Sequence, residues 1–259
     1  MMNHKPIVVG IDGSHAAEVA ISWATTEAAS QKVQLQLVHA VSAGLSASRA
    51  VVDDAVAQVR RLEPAIEVEA RLEYGAPSTA LVMASGQAQL VVIGSRGLGV
   101  MVGALVGATG LDLTANARCP LVVVRPDLAG DSGTRVVIGY DGSSASESAL
   151  DFGLDYARRR DLPVRVIAAQ PAGTELHRIT DTELQDAVHR RGGHDAELIQ
   201  ITGHPAEHLL QLSADARLIV LGARGRGGFS GMLIGSISQT VLQHAPCPVA
   251  VIPAAAVGG

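Results

Sequence analysis

A glycine-rich stretch in the second half of the chain is the strongest candidate for ligand chemistry. It covers residues 222–236 and leads directly into a helical pattern at 237–244. Glycines let the backbone approach an anion closely, and the amides at the start of the following helix point towards that anion, helped by the helix dipole. The stretch therefore predicts a cradle for phosphate groups.

The usual phosphate-loop motifs do not match this stretch. The lysines of the chain are Lys5 and Lys32, so the pattern G-x-x-x-x-G-K-[ST] is absent and a P-loop NTPase is excluded. The Rossmann pattern G-x-G-x-x-G also fails, because its third glycine is missing in both halves of the chain. Positive charge beside a phosphate would have to come from Arg96, Arg224 or Arg226.

Two carboxylates accompany the glycine-rich stretches. Asp12 and Asp141 each follow a strand-like run, and Gly94 and Gly222 each follow another. Ligands of open parallel sheets bind beyond the carboxyl ends of the strands, where the strand order reverses, so neighbouring strands would bring carboxylate and loop to one crevice. The sequence Asp-Gly-Ser also favours a turn, and each aspartate could cap that turn and bind a ligand as well.

The chain is an internal duplication. Shifted by 128 or 129 residues it matches itself at 9–14 with 138–143, 75–77 with 203–205, 90–97 with 218–225, and 119–120 with 247–248. A turn-rich segment near residue 130 separates the copies. These matches predict a first domain at 1–127, a linker at 128–133 and a second domain at 134–259.

Short apolar runs alternate with helical patterns in each copy, which is typical of strands joined by helical crossovers in a parallel sheet. The third strand of the first copy alternates apolar and charged residues, which predicts an edge strand, whereas the uncharged runs 90–93 and 218–221 predict central strands. Ser144 and Glu147 have capping-box spacing at the start of a helix. The strands predicted in the first copy are 7–11, 33–40, 66–73, 90–93 and 121–124.

Composition excludes several classes of protein. Hydrophobic residues make up 47% of 259 residues and charged residues 17%, which excludes intrinsic disorder. A net charge of −5 and six aromatic residues argue against nucleic acid binding. The uncharged stretch 97–111 is too short for a membrane span and the N-terminus lacks a secretory pattern, so we expect a cytoplasmic protein without a membrane partner.

Two further patterns suggest metal or thiol chemistry less strongly. His204 to His208 reads H-x-x-E-H, as in inverted zinc peptidases, but His204 precedes a proline and is biased to an extended conformation, so we expect it to cap a helix. Cys119 and Cys247 stand in matching Cys-Pro pairs and fit buried hydrophobic positions rather than a disulfide.

Nearly all of both copies resembles the tandem-domain universal stress proteins, a bacterial family of adenine-nucleotide-binding α/β proteins. The family motif is a glycine, two residues, a glycine, nine residues, and a glycine followed by Ser or Thr. Gly222, Gly225, Gly235 and Ser236 fit that motif completely. The resemblance implies that Asp141 contacts the nucleoside, that main chain near Ala168 and Ala169 meets adenine, and that the loop with Arg224 holds the phosphates.

The first copy matches the motif less well. It supplies Asp12, Ala40, Gly94, Gly97 and Gly107, but Ala108 stands where the family has a hydroxyl. Loss of one neutral hydrogen bond costs about 0.5 to 1.5 kcal/mol, so we expect ATP binding weakened by at most roughly tenfold. Close packing of a sheet-to-helix turn explains these glycines equally well in the first copy, and less well than binding in the second.

The sequence therefore predicts two tandem α/β domains, each a Rossmann-like open parallel sheet of five strands in the order 3-2-1-4-5 with helices on both faces. We expect a stress-response regulator that binds ATP, with Mg²⁺ arriving on the nucleotide, and no turnover, since no general base or activated nucleophile is evident near the phosphates. The alternatives are a slow ATP hydrolase or nucleotidyl transferase, and a nucleotide-free dimeric scaffold.

The fifth strands, 121–124 and 249–252, are apolar edges that must be paired or covered. We expect the two halves of the chain to pair through them as a pseudo-dimer. The resemblance further implies that the chain forms homodimers.

Overall fold

The computed structural model describes residues 5–41, 45–95, 107–126, 133–170, 179–226 and 234–253. The chain divides into two compact units, Met1–Ala129 and Gly130–Gly259. Most of the predicted linker, 128–133, lies outside the described residues. Each unit is an α/β fold built on a parallel sheet.

The first unit alternates strands and helices from its start. β1 and β5 have the predicted bounds, whereas β2 and β3 begin two residues later than predicted. The elements are β1 (Ile7–Ile11), α1 (His15–Gln31), β2 (Leu35–Val41), α2 (Leu45–Leu62), β3 (Val68–Tyr74), α3 (Pro77–Ser85), β4 (Leu90–Gly94), α4 (Ala108–Asn116) and β5 (Leu121–Val124).

The second unit repeats this order of elements. Its third strand, which the sequence marks less clearly, is present. The elements are β6 (Arg135–Gly139), α5 (Ser144–Arg160), β7 (Val164–Gln170), α6 (Asp181–His189), β8 (Glu197–Thr202), α7 (Pro205–Gln211), β9 (Ala216–Gly222), α8 (Ser236–His244) and β10 (Val249–Ile252).

Both sheets have the predicted strand order. The strands of the first unit are arranged β3-β2-β1-β4-β5 and those of the second β8-β7-β6-β9-β10. Because parallel crossovers are right-handed, the helices that lead outward through β2 and β3 lie on one face, and those that lead back to β4 and β5 lie on the other. The strand order therefore reverses between β1 and β4 and between β6 and β9, which is where such sheets bind ligands.

Burial follows the predicted distinction between central and edge strands. All of Leu90 to Ile93 in β4 and Leu218 to Leu221 in β9 are buried. β3 ends the sheet of the first unit and has no buried residue, which confirms the edge prediction, and Ala70 on its apolar stripe is exposed. Within the described residues, no helix combines the length and apolar character that a membrane crossing needs.

The N-terminal cap of α5 is not the one that the sequence predicts. α5 is capped by Ser143, whose hydroxyl accepts from the Ser146 amide, so the predicted capping box at Ser144 and Glu147 is wrong. Glu147 instead accepts a hydrogen bond from Tyr140 and pairs with Arg191, so its carboxylate is engaged away from the cap. Ser14 caps α1 in the same way as Ser143 caps α5.

Candidate functional site

The candidate site of the second unit begins with the turn after β6. Asp141 Oδ1 accepts hydrogen bonds from the Ser143 amide at 3.0 Å and the Ser143 hydroxyl at 2.6 Å. Gly142 between them has a φ of +70°, a conformation that favours glycine. The sequence Asp-Gly-Ser therefore builds a rigid turn that fixes the Asp141 carboxylate and also starts α5.

The glycine-rich loop after β9 contacts this carboxylate directly. β6 and β9 are adjacent parallel strands, so their carboxyl ends open on the same side. The Arg226 amide donates to Asp141 Oδ2 at 2.9 Å, and the Ser143 hydroxyl lies 3.3 Å from the Arg224 carbonyl oxygen. The structure thus brings together the two features that the sequence placed at one crevice.

Two glycines of the motif are required by the packing of the protein itself. A Cβ on Gly222 would lie 2.8 Å from Ala145 Cβ and 2.9 Å from the Ala145 carbonyl carbon, so this glycine lets β9 approach the start of α5. A Cβ on Gly225 would collide with Asp141 Oδ2. Gly225 therefore allows the loop to pass over the carboxylate.

Gly235, in contrast, is required by neither its conformation nor its described surroundings. Its backbone angles, φ −68° and ψ 144°, suit any residue. A Cβ there would lie in ordinary contact, with the nearest described atoms the Ala223 oxygen at 3.6 Å, Arg224 Cα at 3.7 Å and the Gly225 nitrogen at 3.8 Å. We call this position, which lies between the start of the loop and the start of α8 and which no described atom beyond its chain neighbours approaches more closely than 3.6 Å, the Gly235 hollow.

The amides around this hollow are not all available to a ligand. The Gly235 amide already donates to the Ala223 carbonyl at 2.9 Å, and the Arg226 amide donates to Asp141. These two amides are therefore not free to bind an anion. α8 begins at Ser236 with no described side chain capping it, so the amides of its first turn have no helical partner.

A buried serine that the sequence analysis missed ties this helix to the sheet. Ser238 is 5% exposed, and its hydroxyl donates to the Gly222 carbonyl oxygen at 2.8 Å. The bond fixes the first turn of α8 against the end of β9. Local sequence offered no signal for this bond, because the two residues are 16 positions apart in the chain and meet only in the folded unit.

A second missed group lies beside Asp141. The Tyr140 hydroxyl donates to Glu147 Oε1 at 2.5 Å, and Glu147 Oε2 lies 2.7 Å from Arg191 Nη2. Burial and the hydrogen bond to Glu147 raise the pKa of the Tyr140 phenol, which keeps it a neutral donor. This chain of contacts links the turn before Asp141 to the loop after α6.

The segment expected to meet adenine lies at the end of β7. The pairing of β7 with β6 stops at Ile167, while its pairing with β8 continues through Ala168 and Ala169 to Gln170. The main chain of Ala168 and Ala169 therefore extends past the end of β6 on the side of the crevice. Ala168 is fully buried.

The first unit has the same framework with fewer polar links. Asp12 Oδ1 accepts from the Ser14 amide at 3.0 Å, and Ala40 lies beyond the last residue of β2 that pairs with β1. Gly94 is packed even more closely than Gly222, since a Cβ would lie 2.5 Å from both the carbonyl carbon and the oxygen of Ala16. Gly107 precedes α4 and has no described side-chain cap, and Gly97 lies outside the described residues.

The competing metal and thiol sites find no support in the described residues. His204 is the N-cap residue of α7 with an extended backbone, as expected, but its side chain makes no capping hydrogen bond. No group of three potential metal-ligating side chains occurs in the described ranges. Cys119 and Cys247 are buried and unpaired with each other, and burial raises the pKa of each thiol to about 12. Both therefore remain thiols at neutral pH.

Comparison with known proteins gives a consistent result across the whole chain. Residues 3–125 and 133–253 each match the model described as the Universal stress protein family. Universal stress protein Rv2623 of Mycobacterium tuberculosis is 32% identical over 284 aligned positions, which cover 95% of this chain and 95% of that protein. Universal stress protein Mb2028c of Mycobacterium bovis is 30% identical, covering 95% of this chain and 96% of that protein.

Among solved structures, a universal stress protein from Archaeoglobus fulgidus is similar in fold. Its TM-score is 0.73 at 19% sequence identity, and the match covers 97% of this chain and 99% of that chain. The tandem arrangement of two such units is therefore found in a solved structure.

Proposed function

This chain belongs to the universal stress protein family, and we propose that it is a regulatory ATP-binding protein whose tighter nucleotide site lies in the second unit. In this proposal the Asp141 carboxylate accepts a ribose hydroxyl, and the main chain of Ala168 and Ala169 meets the base. The loop from Gly222 to Arg226 and the start of α8 at Ser236 border the hollow that would take the phosphates.

The observation that carries this proposal is the hollow at Gly235. Neither strain nor crowding by described atoms explains a glycine there, whereas any side chain would occupy the space between the loop and the helix. The first turn of α8 supplies uncapped amides and the positive end of the helix dipole at that point. The site therefore fits a phosphate group better than it fits a purely structural turn.

Magnesium would enter with the nucleotide. The described residues contain no cluster of carboxylates and histidines for a resident ion, so we expect the metal to be held by phosphate oxygens and water. When bound it would neutralise part of the triphosphate charge. Regulation would then act through the occupancy of the site and its effect on partner binding.

Calorimetric titration of the full chain with ATP tests the proposal. We expect the wild type to bind and Gly235→Val to lose the tighter site, because the valine side chain would fill the hollow. Gly86→Val is the matched control, since Gly86 also meets only ordinary contacts but lies at the end of α3 in the first unit. An unchanged affinity in Gly235→Val, with thermal unfolding close to that of the wild type, would remove the site assignment.

A further inference from the structure

Arg226 lies at the candidate site, and its side chain is hydrogen-bonded to the main chain there. It is exposed, and its guanidinium donates to the neutral carbonyl oxygen of Gly142 at 2.9 Å. No carboxylate among the described residues forms an ion pair with it. The guanidinium of Arg226 therefore bonds to a backbone carbonyl next to Asp141 and not to a carboxylate.

The main chain of Arg226 connects the loop to the same aspartate. Its amide donates to Asp141 Oδ2, so Arg226 bridges the loop to Asp141 by its backbone and to Gly142 by its side chain. A Cβ on Gly142 would lie 2.7 Å from the guanidinium carbon, which shows how closely the side chain covers the turn. Arg226 thus lies over the turn that holds the residue proposed to bind the ribose.

The anion hollow is within reach of this side chain. The Gly225 nitrogen lies 3.8 Å from the Cβ position of Gly235, and Arg226 is the next residue along the chain. An arginine side chain extends farther than the distance of about 3.8 Å between consecutive Cα atoms, so its guanidinium can turn from Gly142 to a phosphate in the hollow. Hydrogen bonds from Thr180 lower the pKa of Glu183 on α6, and the positive charge of Arg226 lowers it further by a smaller amount.

We propose that Arg226 is the side-chain cation of the phosphate site, and that its guanidinium exchanges the Gly142 carbonyl for the phosphate chain when a nucleotide binds. The exchange is favourable because a guanidinium binds phosphate oxygens through a charged, bidentate pair of hydrogen bonds, which is stronger than a bond to a neutral carbonyl. The inference rests on the proposed function. It assigns the discrimination between ATP and less charged adenine nucleotides to this residue.

The two units differ in sequence at this position. The alignment of the copies places Leu98, which lies outside the described residues, opposite Arg226, while Arg96 is opposite Arg224. The second unit thus has one more arginine in its loop than the first. Arg226 therefore distinguishes the second site from the first, in addition to Ser236.

The test uses the full chain with Asp12→Ala as the parent, so that the first unit contributes little binding. ATP with Mg²⁺, and AMP, are titrated by calorimetry into the parent and into Arg226→Gln, Arg226→Lys and Arg190→Gln, at low and high potassium chloride. Arg190 is exposed at the end of α6 and controls for the loss of one charge in the same unit.

We expect Arg226→Gln to weaken ATP binding by about ten- to hundredfold, the usual range for a hydrogen bond to a charged group. AMP should lose less, Arg226→Lys should retain part of the affinity, and the salt dependence of ATP binding should become shallower in Arg226→Gln. Arg190→Gln should match the parent.

Equal losses for ATP and AMP, an ATP affinity within twofold of the parent, or an unchanged salt dependence would overturn the assignment of Arg226. A parent that binds no ATP would instead overturn the proposed function, and the role of Arg226 with it.

Discussion

The two units share the framework of the crevice and differ in the polar side chains that complete it. In both, an aspartate accepts from the serine amide two residues later at 3.0 Å, and a glycine ends the fourth strand of the unit against the first helix. The second unit adds Tyr140, Ser236 and Ser238, where the aligned first unit has Ile11, Ala108 and Gly110.

We therefore expect the duplicated fold and the proposed binding function to be separable. The turn and the packed glycine are needed for the sheet to meet its first helix, so they are present in both units. The hydroxyls of Tyr140, Ser236 and Ser238 and the guanidinium of Arg226 are not needed for the sheet to pack against its first helix. We expect changes to the packed glycines of the shared framework to affect stability in either unit, and changes to the added polar groups to affect chiefly the second site.

The largest expected effect comes from the two aspartates. Asp141→Ala removes the acceptor of three described hydrogen bonds and the proposed ribose contact, and we expect ATP affinity to fall by about a hundredfold or more. Asp12→Ala should leave the tighter binding phase of a calorimetric titration unchanged and affect only the weaker one. The reverse pattern would place the tighter site in the first unit.

The packed glycines should show an effect on stability rather than on binding. Gly94→Ala should lower the free energy of unfolding by about 2 to 3 kcal/mol, because its Cβ would meet backbone atoms of Ala16, and Gly222→Ala by somewhat less. Urea unfolding followed by the fluorescence of Trp23, which lies in α1, reports on the first unit. Gly86→Ala is the control and should stay within about 0.5 kcal/mol of the wild type.

Ser238 offers a smaller test of the polar additions. Ser238→Ala should cost about 1 kcal/mol of stability in the second unit, because the Gly222 carbonyl loses its hydroxyl donor. The start of α8 should then be less fixed, and ATP should bind several times more weakly. Urea unfolding and calorimetry measure the two effects. Full stability and affinity in Ser238→Ala would show that this bond does not position the helix.

The smallest difference between the units is expected at their cysteines. Because burial raises the pKa of each thiol from 9.0 to about 12, the folded state holds protons that the unfolded state releases, so stability falls as pH rises from about 9 towards 12. At pH 10 each thiol should account for about 1 kcal/mol of the loss. Urea unfolding under reducing conditions should show a similarly shallower alkaline decline in Cys119→Ala and Cys247→Ala, with no ionisation effect at pH 7.

Much of the fold was predictable because repetition and hydrophobic patterning encode it locally. The uncharged runs of β4 and β9 and the charged alternation of β3 each indicated the burial that the structure shows. The cap of α5 was not predicted correctly. Ser143 and Ser144 are both good capping residues, and the Glu147 carboxylate that a capping box at Ser144 needs is bound instead by Tyr140, directly after β6, and by Arg191, in the loop after α6.

The candidate site was predictable to a similar degree. The glycine spacing and Asp141 marked the crevice, because both follow predicted strands. The hydrogen bonds of Ser238, Tyr140 and Arg226 join residues whose proximity depends on the packing of the folded unit. The engagement of the Gly235 amide with Ala223 is of the same kind, since it depends on how the loop returns to the sheet.

Hydrogen exchange of backbone amides during an ATP titration tests the central claim most directly, because it measures the groups proposed to hold the phosphates. The account predicts that amides at 224–225 and 236–238 become protected first, and that those at 107–110 become protected only at higher ATP concentration. Protection that begins at 107–110, or that leaves 236–238 unchanged while ATP is bound, would contradict it.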